Sequence, residues 1–202
     1  MKRLLTFGFA MMLATPAFAQ APAAAAAPAA PAAVAAPVLL SIDAASSSIT
    51  YHLVHKLHKI DGASKKVDGK VRILPTGQVQ VMVRVPTESF DSGNSNRDAH
   101  MKETVEAAKF PVIELKAAAD GMAMPTSFPA TVEKTLKGKL SFHGVDKQVE
   151  LPVKVLFNSA NSATATAQLN ISMDEFKIER PSLMFVKVDD ALKIDVNLTL
   201  KN

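Results

Sequence analysis

Between residues 79 and 200 the chain places an apolar residue at every second position, again and again. Val79, Val81, Val83 and Val85 alternate with Gln80, Met82 and Arg84, and Ile113 and Leu115 with Glu114 and Lys116. Leu151, Val153 and Val155 alternate with Pro152 and Lys154; Ala165, Ala167, Leu169, Ile171 and Met173 with Thr166, Gln168, Asn170 and Ser172; Ile194, Val196, Leu198 and Leu200 with Asp195, Asn197 and Thr199. Successive side chains of a strand point to opposite faces, so the pattern describes antiparallel strands with one buried and one wet face. Turn formers separate the runs: Asp68-Gly69, Pro75-Thr76-Gly77, Asp120-Gly121, His143-Gly144 and Asn158 to Ser162. Helical spacing occurs once, from Arg97 to Lys109, where Met101, Val105 and Ala108 share a face and Pro111 ends the run; Asp174 to Ile178 offers one further turn of helix. Many strands and one short helix predict an all-β closed barrel or a sandwich. Periodicity does not separate the two, but a barrel of about eight strands can hold a small apolar ligand.

The amino terminus breaks the pattern. Lys2 and Arg3, the apolar run Leu4 to Leu13 and the small-x-small sequence Ala17-Phe18-Ala19 have the layout of a secretory signal over residues 1–19, so the mature chain is expected to begin at Gln20. The run falls short of the ~20 apolar residues that cross a bilayer, and no other stretch reaches that length, so no integral membrane segment is expected after cleavage. Export to a bacterial periplasm is the corresponding expectation. Residues 20–38 contain twelve Ala and four Pro (Pro22, Pro28, Pro31 and Pro37). Proline interrupts the helix that alanine alone would form, which makes this stretch a semi-rigid linker and leaves residues 39–202 as the folded domain.

Composition closes off several chemistries. The 202 residues include no Cys, which excludes disulfides, thiolate nucleophiles, Cys-ligated zinc, iron–sulfur clusters and a lipid carried on Cys. The 8 Gly form no phosphate-binding loop, and no cofactor is expected. Removing Lys2 and Arg3 from the 23 basic residues leaves a near balance with the 19 acidic ones, scattered along the chain, so no nucleic-acid partner is expected.

Three groups of residues invite a chemical reading. His52, His55 and His58 could bind a metal if helical, but the β-rich Ile49-Thr50-Tyr51 before them and Asp61-Gly62 after them favour one strand ending in a turn. There His52 and His58 lie too far apart, about 20 Å, to share an ion, and structural roles without metal are expected. Asp91 to His100 collects Ser, Asp and His, yet no nucleophile elbow occurs. Here Asn96 or Asp98 can cap the helix, Arg97 can make a forked pair with a carboxylate, and His100 can bond the backbone of a neighbouring strand. Of the Met residues, Met82, Met101, Met122, Met124, Met173 and Met184 are dispersed and suit an adaptable apolar lining better than a copper site.

Asn96-Arg97-Asp98-Ala99-His100-Met101 followed by Phe110-Pro111-Val112-Ile113 resembles the R-D-x-H-L … F-P-x-I signature of the YceI-like family. Ile42-Asp43 with Ser48 to Tyr51 and His55, Val85 to Gly93, Gly138 to Lys147 with its Leu140 … His143-Gly144-Val145, and Asp189 to Ile194 resemble further segments of that family in order and spacing. The likeness runs from about Leu40 to Leu200. The chain departs from the family's pattern at Ala44 to Ser47, at Gly62 to Gly69, which lacks the usual aromatic, and at Lys177, where the family has Gly. The resemblance implies a lipocalin-like antiparallel barrel with a helix beside it, holding a long isoprenoid or other long-chain lipid, and a carrier rather than an enzyme.

On that footing Tyr51, Leu53, Val81, Val83, Leu140 and Phe142 are expected to line the interior, with His55, Arg97, Asp98, His100 and His143 as structural motif residues. Two other classes remain: an enzyme using His100 with Asp98 or Asp91, and a stress-related or scaffold protein whose barrel is filled by its own side chains. The sequence leaves monomer and homodimer both open.

Overall fold

The structure is a computed structural model and describes residues 36–55, 58–183 and 186–202; the signal and most of the linker lie outside them. The described strands are β1 (Val38–Ile42), β2 (Ser48–His55), β3 (His58–Ser64), β4 (Asp68–Ile73), β5 (Val79–Pro86), β6 (Val112–Ala119), β7 (Ala130–Phe142), β8 (Val145–Ser159), β9 (Ser162–Ser172), β10 (Ser182–Leu183), β11 (Val186–Lys187) and β12 (Ala191–Lys201), with helix α1 at Ser95–Thr104. All pairings are antiparallel, and the order β1-β4-β5-β6-β7-β8-β9-β12 closes on itself where β12 meets β1, forming an eight-strand barrel. Among the described residues β10 and β11 pair only with each other.

Closure depends on a break in one ladder. β12 pairs with β1 through Ser41↔Lys201 and Ile42↔Leu200, then with β2 from Ser48↔Asn197 to Leu53↔Leu192. Between them Ala44–Ser46 form a single 3-10 turn, capped by the Asp43 carboxylate, which accepts from the Ala45 N–H. Thr199 of β12 stays paired across the break. Its carbonyl accepts from the Asp43 N–H at 2.8 Å, and its own N–H donates to the Ser47 hydroxyl at 2.9 Å. The backbone is thus satisfied although the strand is interrupted. β3 continues beside β2, and β4 beside β1, as the next pair of half-strands.

The alternation read from the sequence sorts as expected, apolar residues inward and polar ones outward. Opposite charges face each other across the outer ladder, as in Arg84 with Glu114 at 2.6 Å and Lys137 with Glu150 at 2.9 Å. Two turn assignments fail. Asp68-Gly69 begins β4, and Asp61-Gly62 lies inside β3. Gly62 serves close approach rather than a bend: the Tyr51 ring of β2 lies over it, and a Cβ there would stand 2.4 Å from that ring. Gly144 does form a turn, with φ +70°, between β7 and β8.

The helix is shorter than its apolar spacing suggested, and differently capped. Asn94 is the N-cap, its side-chain oxygen accepting from the N–H groups of Asn96 and Arg97 at 3.1 Å each. The other end closes before Pro111 is reached. Glu106 adopts φ +46°, its N–H donates to Glu103 O, and the Ala107 N–H donates to Lys102 O, the paired bonds of a Schellman ending.

Candidate ligand cavity

The barrel encloses a cavity of about 280 Å³ whose wall is almost wholly apolar, at the lower edge of the ~300–1,000 Å³ usual for small-ligand sites. All six residues expected inside, Tyr51, Leu53, Val81, Val83, Leu140 and Phe142, lie on its wall. They divide into two kinds. Val83, Leu140 and Phe142 are buried against neighbours, whereas Tyr51, Leu53 and Val81 are half-buried although they point inward. Leu115, Leu169, Leu192 and Ile194 are inward and half-buried as well, and were not singled out from the sequence. The signal for them was present, because each belongs to a period-two run, but such a run marks the inner face without saying where side chains meet and where they leave space.

At one end the cavity stops on a packed floor. Leu40, Phe157 and Val79 are each 1% exposed, Met122, Ile73 and Leu200 each 3%. Met122 comes from the loop between β6 and β7, and its N–H donates to the Gly77 carbonyl at 2.8 Å. At the other end α1 and the segment between β9 and β12 lie across the barrel. Val105, Ile178 and Val188 pack there with Phe142 and Phe176, whose rings are 5.7 Å apart. Arg97, His100, Met101 and Thr104 of α1 border the cavity beside Ile60 and Pro181. His100 is exposed and Arg97 half-buried, so this end is a mouth that meets solvent.

The mouth's polar groups are held differently from the sequence expectation. Asp98 does not cap the helix; its Oδ1 accepts from the Ser92 N–H at 3.0 Å and the Ser92 hydroxyl at 2.6 Å. Arg97 does not fork onto a carboxylate; it donates from Nε to Ser92 Oγ at 2.8 Å and from Nη2 to the Ser92 carbonyl at 2.7 Å. The reason is local: Ser92, folded back before the N-cap, offers both an acceptor and a donor within reach of the first helical turn. Among the described residues His100 bonds no strand; its Nδ1 lies 3.9 Å from Glu103 on its own helix. Tyr51 pairs with Phe90, ring centroids 5.6 Å apart. Burial pushes its hydroxyl above the usual tyrosine value, with the nearby Asp98 charge acting the same way and Arg97 opposing it.

His52 and His143 lie off the cavity wall. β2 and β3 form a hairpin that sets His55 opposite His58 in register, so the three histidines do not share one strand; the side chains of His55 and His58 lie outside the described residues. His52 points outward and bridges Asp61 at 2.7 Å and Asp195 at 3.0 Å. His143 follows β7 with φ +51°. Its Nδ1 lies 2.9 Å from the Phe176 carbonyl and its Nε2 3.3 Å from Glu106, tying the β7–β8 turn to the residues after α1. Among the described residues no group of three or more His, Asp or Glu is arranged to hold a metal ion, and no helix is long and apolar enough to cross a membrane.

An antiparallel barrel with an apolar interior, a packed floor and a helix across the mouth defines a lipocalin-like class of fold. Within it, the chain belongs to the YceI-like family, whose domain model matches residues 40–200. The fold is similar to a polyisoprenoid binding domain from Saccharophagus degradans implicated in plant cell wall breakdown, at 19% identity and TM-score 0.66 over 80% of this chain and 97% of that one. It is also similar to BcnA of Burkholderia cenocepacia, at 21% identity and TM-score 0.63 over 78% of this chain and 98% of that one. The YceI protein of Campylobacter jejuni aligns at 14% identity and TM-score 0.58 over 74% and 88% of the two chains. No curated protein matches the chain by sequence.

Proposed function

We propose that this protein is an exported, periplasmic carrier that sequesters the apolar chain of an isoprenoid-type lipid inside its barrel and does no chemistry on it. The observation that carries the reading is the ring of inward apolar residues left half-buried around an enclosed cavity, Tyr51, Leu53, Val81, Leu115, Leu169 and Ile194. A barrel filled by its own side chains, as a scaffold would have, buries such residues fully. At ~25 cal/mol per Å² of apolar surface, covering several hundred Å² of a prenyl chain is worth on the order of 10 kcal/mol before the costs of association. Arg97, His100 and Thr104 border the mouth and would face the lipid's headgroup. Similarity to a polyisoprenoid binding domain supports the choice of cargo, and the signal-like residues 1–19 support export.

Native mass spectrometry of the protein purified from the periplasm of its host, followed by solvent extraction, tests the reading. The expected result is a bound mass released as an isoprenoid. A homogeneous unliganded mass that takes up neither added isoprenoid nor fatty acid would overturn it.

A further inference from the structure

The cavity's depth limits its cargo. β5 follows that depth from Val79 at the floor to Val85 near the mouth. At ~3.3 Å per residue and a strand tilt of ~40°, this is about 15 Å of barrel axis. Carbon–carbon bonds of ~1.5 Å laid as a zigzag then fit about twelve in line, roughly three isoprene units, with about one more where α1 extends the wall. The floor does not yield readily. Met122 and Phe157 are 3% and 1% exposed, so they have almost no free surface even toward the cavity. The Met122 main chain is held by the Gly77 carbonyl, in a turn itself closed by the bonds from Gly77 N–H to Leu74 O and from Leu74 N–H to Gln78 O.

We propose that Met122 and Phe157 are the end stop of a chain-length ruler: the barrel takes about three to four isoprene units and leaves any further length outside the mouth. The inference rests on the carrier reading above and adds specificity to it. Two residues should move the stop in opposite directions. Met122→Ala opens the floor by most of a side chain. Val81→Phe raises the floor, because Val81 stands one inward position above Val79 and faces open space.

The test uses the whole delipidated chain and prenyl alcohols of two, three, four and eight isoprene units. Binding is read from the emission of Tyr51, the single Tyr in a chain without Trp. The expected result is a dissociation constant falling about tenfold or more per unit up to three or four units, then changing less than about threefold up to eight. Met122→Ala should shift this break about one unit longer and Val81→Phe about one unit shorter, with both variants checked by circular dichroism. Affinity that keeps rising tenfold per unit to eight units, or a break unmoved in whichever variants fold, would overturn the ruler while leaving the carrier standing. Failure to bind any of the alcohols would overturn both.

Discussion

Leu40 and Leu115 are both leucines of barrel strands, both turned inward and both on the cavity wall, yet Leu40 is 1% exposed and Leu115 is half-buried. The difference lies in what stands opposite each. Around Leu40, the loop before β7 supplies Met122, while β8 and β12 supply Phe157 and Leu200, so the barrel's lower end is filled. Around Leu115 the inward residues Leu169 and Ile194 also line the cavity and stay half-buried, and Met101 of α1 borders the same space. The same binary pattern therefore builds a core at one end and a container at the other. Interiors close-packed with side chains resist change, whereas a wall that faces a void has already forgone part of its contact energy.

The most direct way to break this comparison is to shorten both leucines. Leu40→Ala is expected to cost about 3–4 kcal/mol of unfolding free energy and Leu115→Ala only about 1 kcal/mol, measured by urea denaturation; equal costs would mean that the upper half is as tightly packed as the floor. Val81→Glu puts a carboxylate into the container rather than the core. Lipid retention in native mass spectrometry should fall about a hundredfold with a β-rich circular dichroism spectrum preserved, because the new charge can hydrate in the cavity but rejects an apolar chain. Asn94→Ala removes the cap that holds α1 at the mouth and should cost about 1 kcal/mol, with faster hydrogen exchange confined to the helix.

Two pH effects are smaller. At the floor-side seam, the hydrogen bond from Lys201 and its positive charge hold the Asp43 carboxyl below the usual aspartate range. Because the folded value is the lower one, this contribution is complete above the ordinary value near ~4 and is lost as pH falls through the folded value. Thermal stability should decline on that acid limb, and Lys201→Gln should flatten the decline. In the container wall, Tyr51 has its hydroxyl raised by burial. Its phenolate absorbance should therefore develop at higher pH in the folded protein than in the denatured chain, and later still with lipid bound.

Much of this architecture was legible beforehand. Period two located β5, β6, β8, β9 and β12, and the motif from Asn96 to Ile113 pointed to the family. The six residues expected to line the interior came together on one wall because parity within a strand decides facing, and parity can be counted. Several of the failures concern which partner a polar group chooses. Ser92, rather than a carboxylate or a strand, organises Arg97 and Asp98. Asn94 caps the helix in place of Asn96 or Asp98. Asp61, assigned to a turn, instead pairs with His52 inside a hairpin. Each choice depends on distances of about 3 Å between residues whose separation in space is not set by their separation along the chain.

The amino-acid sequence by itself determined the β class, the inward and outward faces, the break at Pro75-Thr76-Gly77, the absence of thiol chemistry and the family to which the domain belongs, because these follow from local geometry, side-chain chemistry and residue order. Only the tertiary structure decided that the sheet closes through β1 and β12, that Thr199 bridges an interrupted strand, and that Met122 drops into the floor while Leu115, Leu169 and Ile194 stay half-buried around the cavity. Closure and cavity are properties of how far apart faces are held. That distance is set by the number and tilt of all the strands together and by the loops that cross the barrel's ends, which no single run of alternating residues contains.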